Sequence, residues 1–321
     1  MGELAALVAA LTWSATSVVL TSLSARTSPV ALSALRLSAA TLVLPFILLF
    51  SGQAGDISAA PWTAVAAMIG SGFIGYAVGD TLYIRSLGLL GMQKTFPISM
   101  ALFISLTVLG GILLLDEPFK WTLLLGAVLI GAGVYFIVIP RRGTSADRLV
   151  VPSGAEPALA SMVAVRAGRW PARSVALRGP VAQGYIGIVV VGVLWAAASL
   201  WLAVGREDLG AVAAGALRTP AGAVGMVAFG LATRPRELIV PFADRRHIGA
   251  IVLAGLVGTA FGSLLYVYAV GEAGAARTAV LSAASPLMAL PLSVIFLKEP
   301  LTGRILAGTV LCVGGIGLVV S

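Results

Sequence analysis

Residues 75–138 of this chain recur, in the same order, as residues 258–320. Aligning Tyr83 with Tyr266 also brings Gly91 onto Gly274, Lys94-Thr95 onto Arg277-Thr278 and Ser99 onto Ser282. After a one-residue gap, Leu115-Asp116-Glu117-Pro118 falls on Leu297-Lys298-Glu299-Pro300. Upstream, Trp13 falls on Trp195 and Ala34-Leu35-Arg36 on Ala216-Leu217-Arg218. A chain that repeats one unit over nearly its whole length folds as two like units packed together, which constrains its architecture more than any short motif.

Each copy is apolar almost throughout. With 59% apolar and 11% charged residues and a mean hydropathy of +1.03, the chain is not a soluble domain, in which about a quarter of residues are charged. A bilayer core takes about twenty apolar residues as a helix. Windows of that length predict spans near 3–22, 30–50, 62–87, 91–115, 120–139, 183–203, 210–231, 248–271, 274–297 and 302–320. Helices are required, because lipid offers no partner to an unpaired backbone. Small residues such as Gly126, Gly131, Gly133, Gly308, Gly314, Gly315 and Gly317 let neighbouring helices approach closely. The N-terminus, Met1-Gly2-Glu3, lacks a basic leader and runs straight into the first apolar stretch, so it reads as a retained helix.

One connection is long. Residues 141–182 carry Arg141, Arg142, Arg148, Arg166, Arg169, Arg173 and Arg178, broken by Pro152, Pro157, Pro171 and Pro180. They divide the chain into a first unit, 1–140, and a second, 183–321. The expected fold is all-α and integral to the membrane, with ten transmembrane helices arranged as two inverted five-helix repeats: an odd number of spans in the first unit threads the second with opposite orientation. Inverted halves around a site near the bilayer midplane are the geometry of secondary transporters. Arg26, Arg85, Lys94, the linker arginines, Arg234, Arg236, Arg245, Arg246 and Lys298 collect on one face, and the positive-inside rule makes that face, and the linker, cytoplasmic. The net charge of +8 therefore meets lipid headgroups, not nucleic acid.

Several residues stand out within the spans. Asp80 is a carboxylate inside helix 3, where insertion costs roughly 2.5–3.5 kcal/mol unless it meets a partner or a wet cavity. It can bind a substrate amine or exchange a proton; alternatively it holds helices together through Arg36 or Lys94. Arg36 and Arg218 occupy equivalent positions, and either can meet a substrate carboxylate or snorkel to the interface. Trp13 and Trp195 sit mid-span, away from the interfacial belt favoured by tryptophan, as cavity wall or plain core. Tyr83 and Tyr266, with Tyr76 and Tyr268, supply hydroxyls by the same logic. Pro97 and Pro286, with Pro291, free backbone carbonyls and allow bending during gating. Glu117 and Glu299 are expected to complement the dipoles of the last helix in each unit.

The run Gly75, Gly79, Asp80, Tyr83, the Ser285-Pro286 pair followed by Glu299, and the Leu-Arg pairs early in helices 2 and 7 resemble the drug/metabolite transporter superfamily, specifically its EamA-type ten-helix members. The resemblance covers all but the linker. It implies a substrate cavity formed by helices 1–4 and 6–9, peripheral helices 5 and 10, and transport of small polar metabolites such as amino acids, often by export. The chain departs from symmetry at two points: Ser263 aligns with Asp80, and Leu102-Phe103 with Ser285-Pro286.

The function expected is a secondary transporter in the cell membrane, inner or plasma, working by alternating access on a small-molecule substrate in a lipid bilayer, with proton entry a candidate driving force. Drugs, nucleobases or sugars are alternative substrates, and a lipid-handling scaffold is the more distant alternative. An ATP-driven pump is excluded by the absence of a phosphate-binding Gly-x-x-x-x-Gly-Lys-Ser/Thr loop. An enzyme is disfavoured, and no metal or cofactor is expected: His247, the single histidine, lies in an arginine-rich loop, and Cys312, the single cysteine, lies in the last span. The chain builds its own pseudo-symmetric cavity, which leaves monomer and homodimer both open.

Overall fold

The computed structural model describes residues 1–114, 121–138, 179–273, 278, 281–282 and 284–320. Among them the regular structure is entirely helical. Helices α1 (Gly2–Ser24), α2 (Pro29–Ser51), α3 (Trp62–Leu90), α6 (Pro180–Arg206), α7 (Ala211–Thr233) and α8 (Arg245–Glu272) are long and apolar enough to cross a membrane. The apolar helices α4 (Met92–Leu114), α5 (Trp121–Val138), α9 (Ser285–Leu297) and α10 (Gly303–Val320) complete the bundle. Most of the 141–182 linker lies outside the described residues, as do Asp116, Glu117, Lys120 and Arg277. Helix α6 begins at Pro180, since a proline is tolerated in a first turn that owes no N–H.

Local chemistry sets the helix ends. Ser28 caps α2 by accepting the Ala31 N–H, with Pro29 in the first turn, and Gly52 ends that helix in the left-handed conformation at φ 72°. Gly91, at φ 78°, turns the chain between α3 and α4. Other ends are satisfied across the duplication. Gln53 Oε1 accepts from the Val212 and Ala213 N–H groups at 2.9 and 3.3 Å, and Asp56 Oδ2 from Gly210 N–H at 3.1 Å, supplying partners to the open N-terminus of α7. Glu299 does the same for α4, accepting from Met92 and Gln93 N–H at 2.8 and 3.0 Å. The expectation that Glu299 serves its own following helix is therefore corrected: α10 starts only at Gly303, and the carboxylate reaches a helix of the other unit.

The glycines sort by face. A side chain at Gly133 would meet Cys312 Sγ and the Gly308 carbonyl, both at 2.6 Å, and one at Gly315 would meet the Gly126 carbonyl at 2.7 Å. Those residues pack α5 on α10, whereas Gly131, Gly314 and Gly317 face open space and contribute nothing to the seam. Replacing Gly308 with Leu is expected to separate α5 from α10 at a cost of about 1–3 kcal/mol. A lowered melting temperature in detergent, matched by no loss for Gly314→Leu, checks this.

Helices α3 and α8 share a further feature. Each contains a π-helical stretch, Phe73–Gly79 in α3 and Gly255–Gly262 in α8, and the two stretches coincide in the duplicated sequence. Both begin where the chain crosses another helix at backbone distance: a Cβ on Gly72 would strike the Arg218 carbonyl, and one on Gly255 the Arg36 carbonyl. Such π turns occur mostly at functional sites, since the extra residue re-aims the side chains that follow.

Candidate functional site

A cavity of about 120 Å³ lies between the two units, room for several waters at roughly 10–15 Å³ each. Its wall draws on α1, α2, α3, α4, α6, α7 and α8. No described residue of α9 lines it, which narrows the expectation that helices 1–4 and 6–9 all contribute. Neither α5 nor α10 contributes. All seven residues singled out for substrate contact, Trp13, Arg36, Asp80, Tyr83, Trp195, Arg218 and Tyr266, face this one space.

The arrangement repeats with the sequence. Trp13 packs on Tyr266 with ring centroids 5.1 Å apart, and its counterpart Trp195 packs on Tyr83, the counterpart of Tyr266, also at 5.1 Å. Each pair therefore joins the first unit to the second. The Tyr83 hydroxyl shares a hydrogen bond with Ser17 Oγ at 2.9 Å, and Ser199, at the matching place in α6, interacts with the Tyr266 hydroxyl. Phe103 closes one side, edge-on to Trp195 with centroids 6.1 Å apart. Tyr268 is 38% exposed and lies outside the cavity, on the far side of α8 from Tyr266.

The arginines follow the same plan until it breaks. Arg36 and Arg218 are only 6% and 5% exposed, so neither snorkels to an interface. Arg36 Nη1 donates to Thr259 Oγ1 at 2.8 Å, and Nη2 forms an ion pair with Asp80 Oδ2. Asp80 Oδ1 accepts from Trp195 Nε1 at 2.9 Å. The carboxylate thus ties α2 and α3 to α6 of the other unit. Of the partners weighed for it, Arg36 is the one used; Arg85 turns away to donate to Gln183 Oε1 at 2.7 Å, as the helical angle between residues 80 and 85 requires. Arg218 Nε donates to Ser71 Oγ at 3.0 Å, and its guanidinium stacks over the Tyr76 ring, 4.8 Å from the centroid. Tyr76 occupies the position of Thr259, and Ser263 that of Asp80, so among the described residues Arg218 forms no ion pair, and Asp80 acts on it only from beyond salt-bridge distance.

Sequence reasoning missed Ser17, Ser71, Ser199 and Thr259. Their small hydroxyls give no signal in an apolar helix, yet each is aligned with, or bonded to, a residue that did stand out. Pro97 lies within α4, as expected. Pro286 occupies the first turn of α9, just after the turn at Ala284 that follows helical Leu281 and Ser282; having no N–H it leaves the Ser282 carbonyl to accept from Ser285 Oγ, and the Ser285 carbonyl accepts from Ser14 Oγ at 3.0 Å.

The bundle holds six helices long and apolar enough to cross a membrane, around a cavity walled mainly by apolar and aromatic side chains with Arg36, Asp80 and Arg218 among them. The EamA-like transporter family profile matches residues 1–139 and again 182–321. This chain belongs to that family, and is a membrane transporter of small molecules. One solved crystal structure is similar over 99% of this chain and 95% of its own, with a TM-score of 0.66 at 20% identity, a likeness of fold alone. No curated protein matches the chain.

Proposed function

We propose that the protein is a secondary transporter that exports small polar metabolites, amino acids among them, across the cell membrane by alternating access. The observation that carries this reading is the cavity itself, in which charged groups buried within the spans are contributed by both units. Charge inside a membrane helix is costly and is retained where it meets a solute or a partner. Trp13, Arg36, Asp80, Tyr83, Trp195, Arg218 and Tyr266 contact the substrate in this proposal, and Pro97 and Pro286 allow α4 and α9 to bend during gating.

The reading includes ten spans in two inverted repeats, 1–140 and 183–321, joined by a cytoplasmic linker. Support comes from the crossed contacts. The loop after α2 meets the start of α7 through Gln53 and Asp56, while the start of α4 meets the loop after α9 through Glu299. Arg85, in the last turns of α3, meets the start of α6 through Gln183. Each unit's connections thus abut the other's in the order an inverted pair requires, and two such units can rock about a shared site. Proton exchange at Asp80 is the candidate coupling.

Reconstitution in liposomes tests the proposal. Labelled amino acid is expected to enter vesicles preloaded with the unlabelled compound by saturable counterflow, and an imposed pH gradient to drive accumulation. Unsaturable flux, with no acceleration by internal substrate, would overturn the carrier reading.

A further inference from the structure

Two guanidiniums line the cavity and one carboxylate answers them, and among the described residues no other charged one borders the space. Asp80 is committed to Arg36 and to the indole of Trp195. Arg218 has no equivalent. Its one hydrogen bond, among the described residues, uses Nε, so the N–H groups of Nη1 and Nη2 have no protein acceptor. A guanidinium offers five donors in a planar fork suited to a carboxylate. Left 5% exposed and stacked on Tyr76, it is pre-oriented, and its burial is costly until an anion completes it.

We propose that Arg218 is the anion subsite of the transporter, and that the substrate docks on it through a carboxylate. Resting on the carrier reading, this settles which of the two symmetric arginines does so. Arg36 is neutralised within the protein, and the substrate neutralises Arg218. The duplication shows where the two units differ: Ser263 stands in the second where Asp80 stands in the first, leaving at Arg218 a charge that a ligand answers. The flat faces of Trp195, Tyr83, Trp13 and Tyr266 border the same space, so the carboxylate belongs to a molecule with an apolar, planar body. One net positive charge in the wall favours a ligand with a single anionic group over a dianion or a cation.

The duplication also supplies the test. Ser263→Asp writes into the second unit the carboxylate that the first already tolerates opposite its arginine. Purified protein is titrated with benzoate, benzylammonium and benzyl alcohol at constant ionic strength, and the melting temperature followed. Benzoate is expected to raise it saturably, since a ligand that binds only the folded state stabilises it by mass action. Ser263→Asp is expected to fold with an unliganded melting temperature no lower than wild type, and to weaken apparent benzoate affinity by about tenfold or more, the loss of one charge-assisted hydrogen bond. Arg218→Lys, which keeps the charge but not the fork, is expected to fall between the two. Benzoate affinity unchanged in both variants would overturn the assignment. So would stabilisation by benzylammonium and not by benzoate, or no response to benzoate at all; saturable amino-acid counterflow alongside any of these would leave the carrier reading standing.

Discussion

Replacing Asp80 with Asn is expected to destabilise the bundle by about 3–5 kcal/mol, the usual consequence of leaving one member of a buried ion pair without its partner. Arg36 and Asp80 have side chains only 7% and 14% exposed, so water does little to screen the charge that remains. Asparagine keeps the shape but offers one acceptor oxygen where Asp80 uses two, so it can accept from Trp195 Nε1 or from Arg36 while its amide N–H groups face the other donor. Arg36→Gln is expected to be as damaging, for the mirror reason. The double variant Arg36→Met, Asp80→Leu is the informative one. Swapping a buried pair for apolar side chains of similar volume is often neutral or stabilising, so the double variant should regain a melting temperature near wild type while remaining inactive in counterflow. A double variant that transports normally would show that the pair is only a tether between α2 and α3. Single variants as stable as wild type would remove even that role.

Among the described glycines, Gly72→Ala and Gly255→Ala are expected to be the most damaging single-methyl additions, at about 3 kcal/mol or more each, beyond the usual range for overpacking. At most glycines in the bundle an added Cβ meets a side chain, which can rotate away. At these two, as on the α5–α10 seam at Gly133, Gly308 and Gly315, it meets a backbone carbonyl, but the approach to the Arg218 or Arg36 carbonyl is closer, and a backbone atom can yield only if whole helices separate. Separation of α3 from α7, or of α8 from α2, also moves the arginine that lines the cavity and unseats the π turn beginning beside each glycine. Lower melting temperature and loss of counterflow should therefore appear together. Gly249→Ala, in open space on α8, serves as the control, and similar behaviour of all three variants would refute the argument.

Much of the site was legible beforehand because expense marks it. A carboxylate or guanidinium inside an apolar run is costly enough to need a reason, and tryptophan in mid-span is out of its preferred zone; Asp80, Arg36, Arg218, Trp13 and Trp195 all announced themselves this way and all face one cavity. Serine and threonine carry no such signal, since either can satisfy its own hydroxyl on the preceding turn, as Ser38 does on the Ala34 carbonyl. Ser17, Ser71, Ser199 and Thr259 became visible only as partners. Glu299 was misread because a carboxylate near a helix start suggests that helix, whereas the open N–H groups it serves belong to α4, distant in sequence.

The amino-acid sequence by itself determined that this is a duplicated, all-helical membrane chain with buried charge, because lipid forces every backbone group into a helix and hydropathy is a local property. Tertiary structure alone decided which charges are spent on each other. Arg36 and Arg218 occupy the same place in two copies of one unit, and nothing local distinguishes them. Whether a guanidinium is satisfied depends on what lies across from it on another helix: Asp80 for one, and for the other Ser71, the face of Tyr76 and the open cavity.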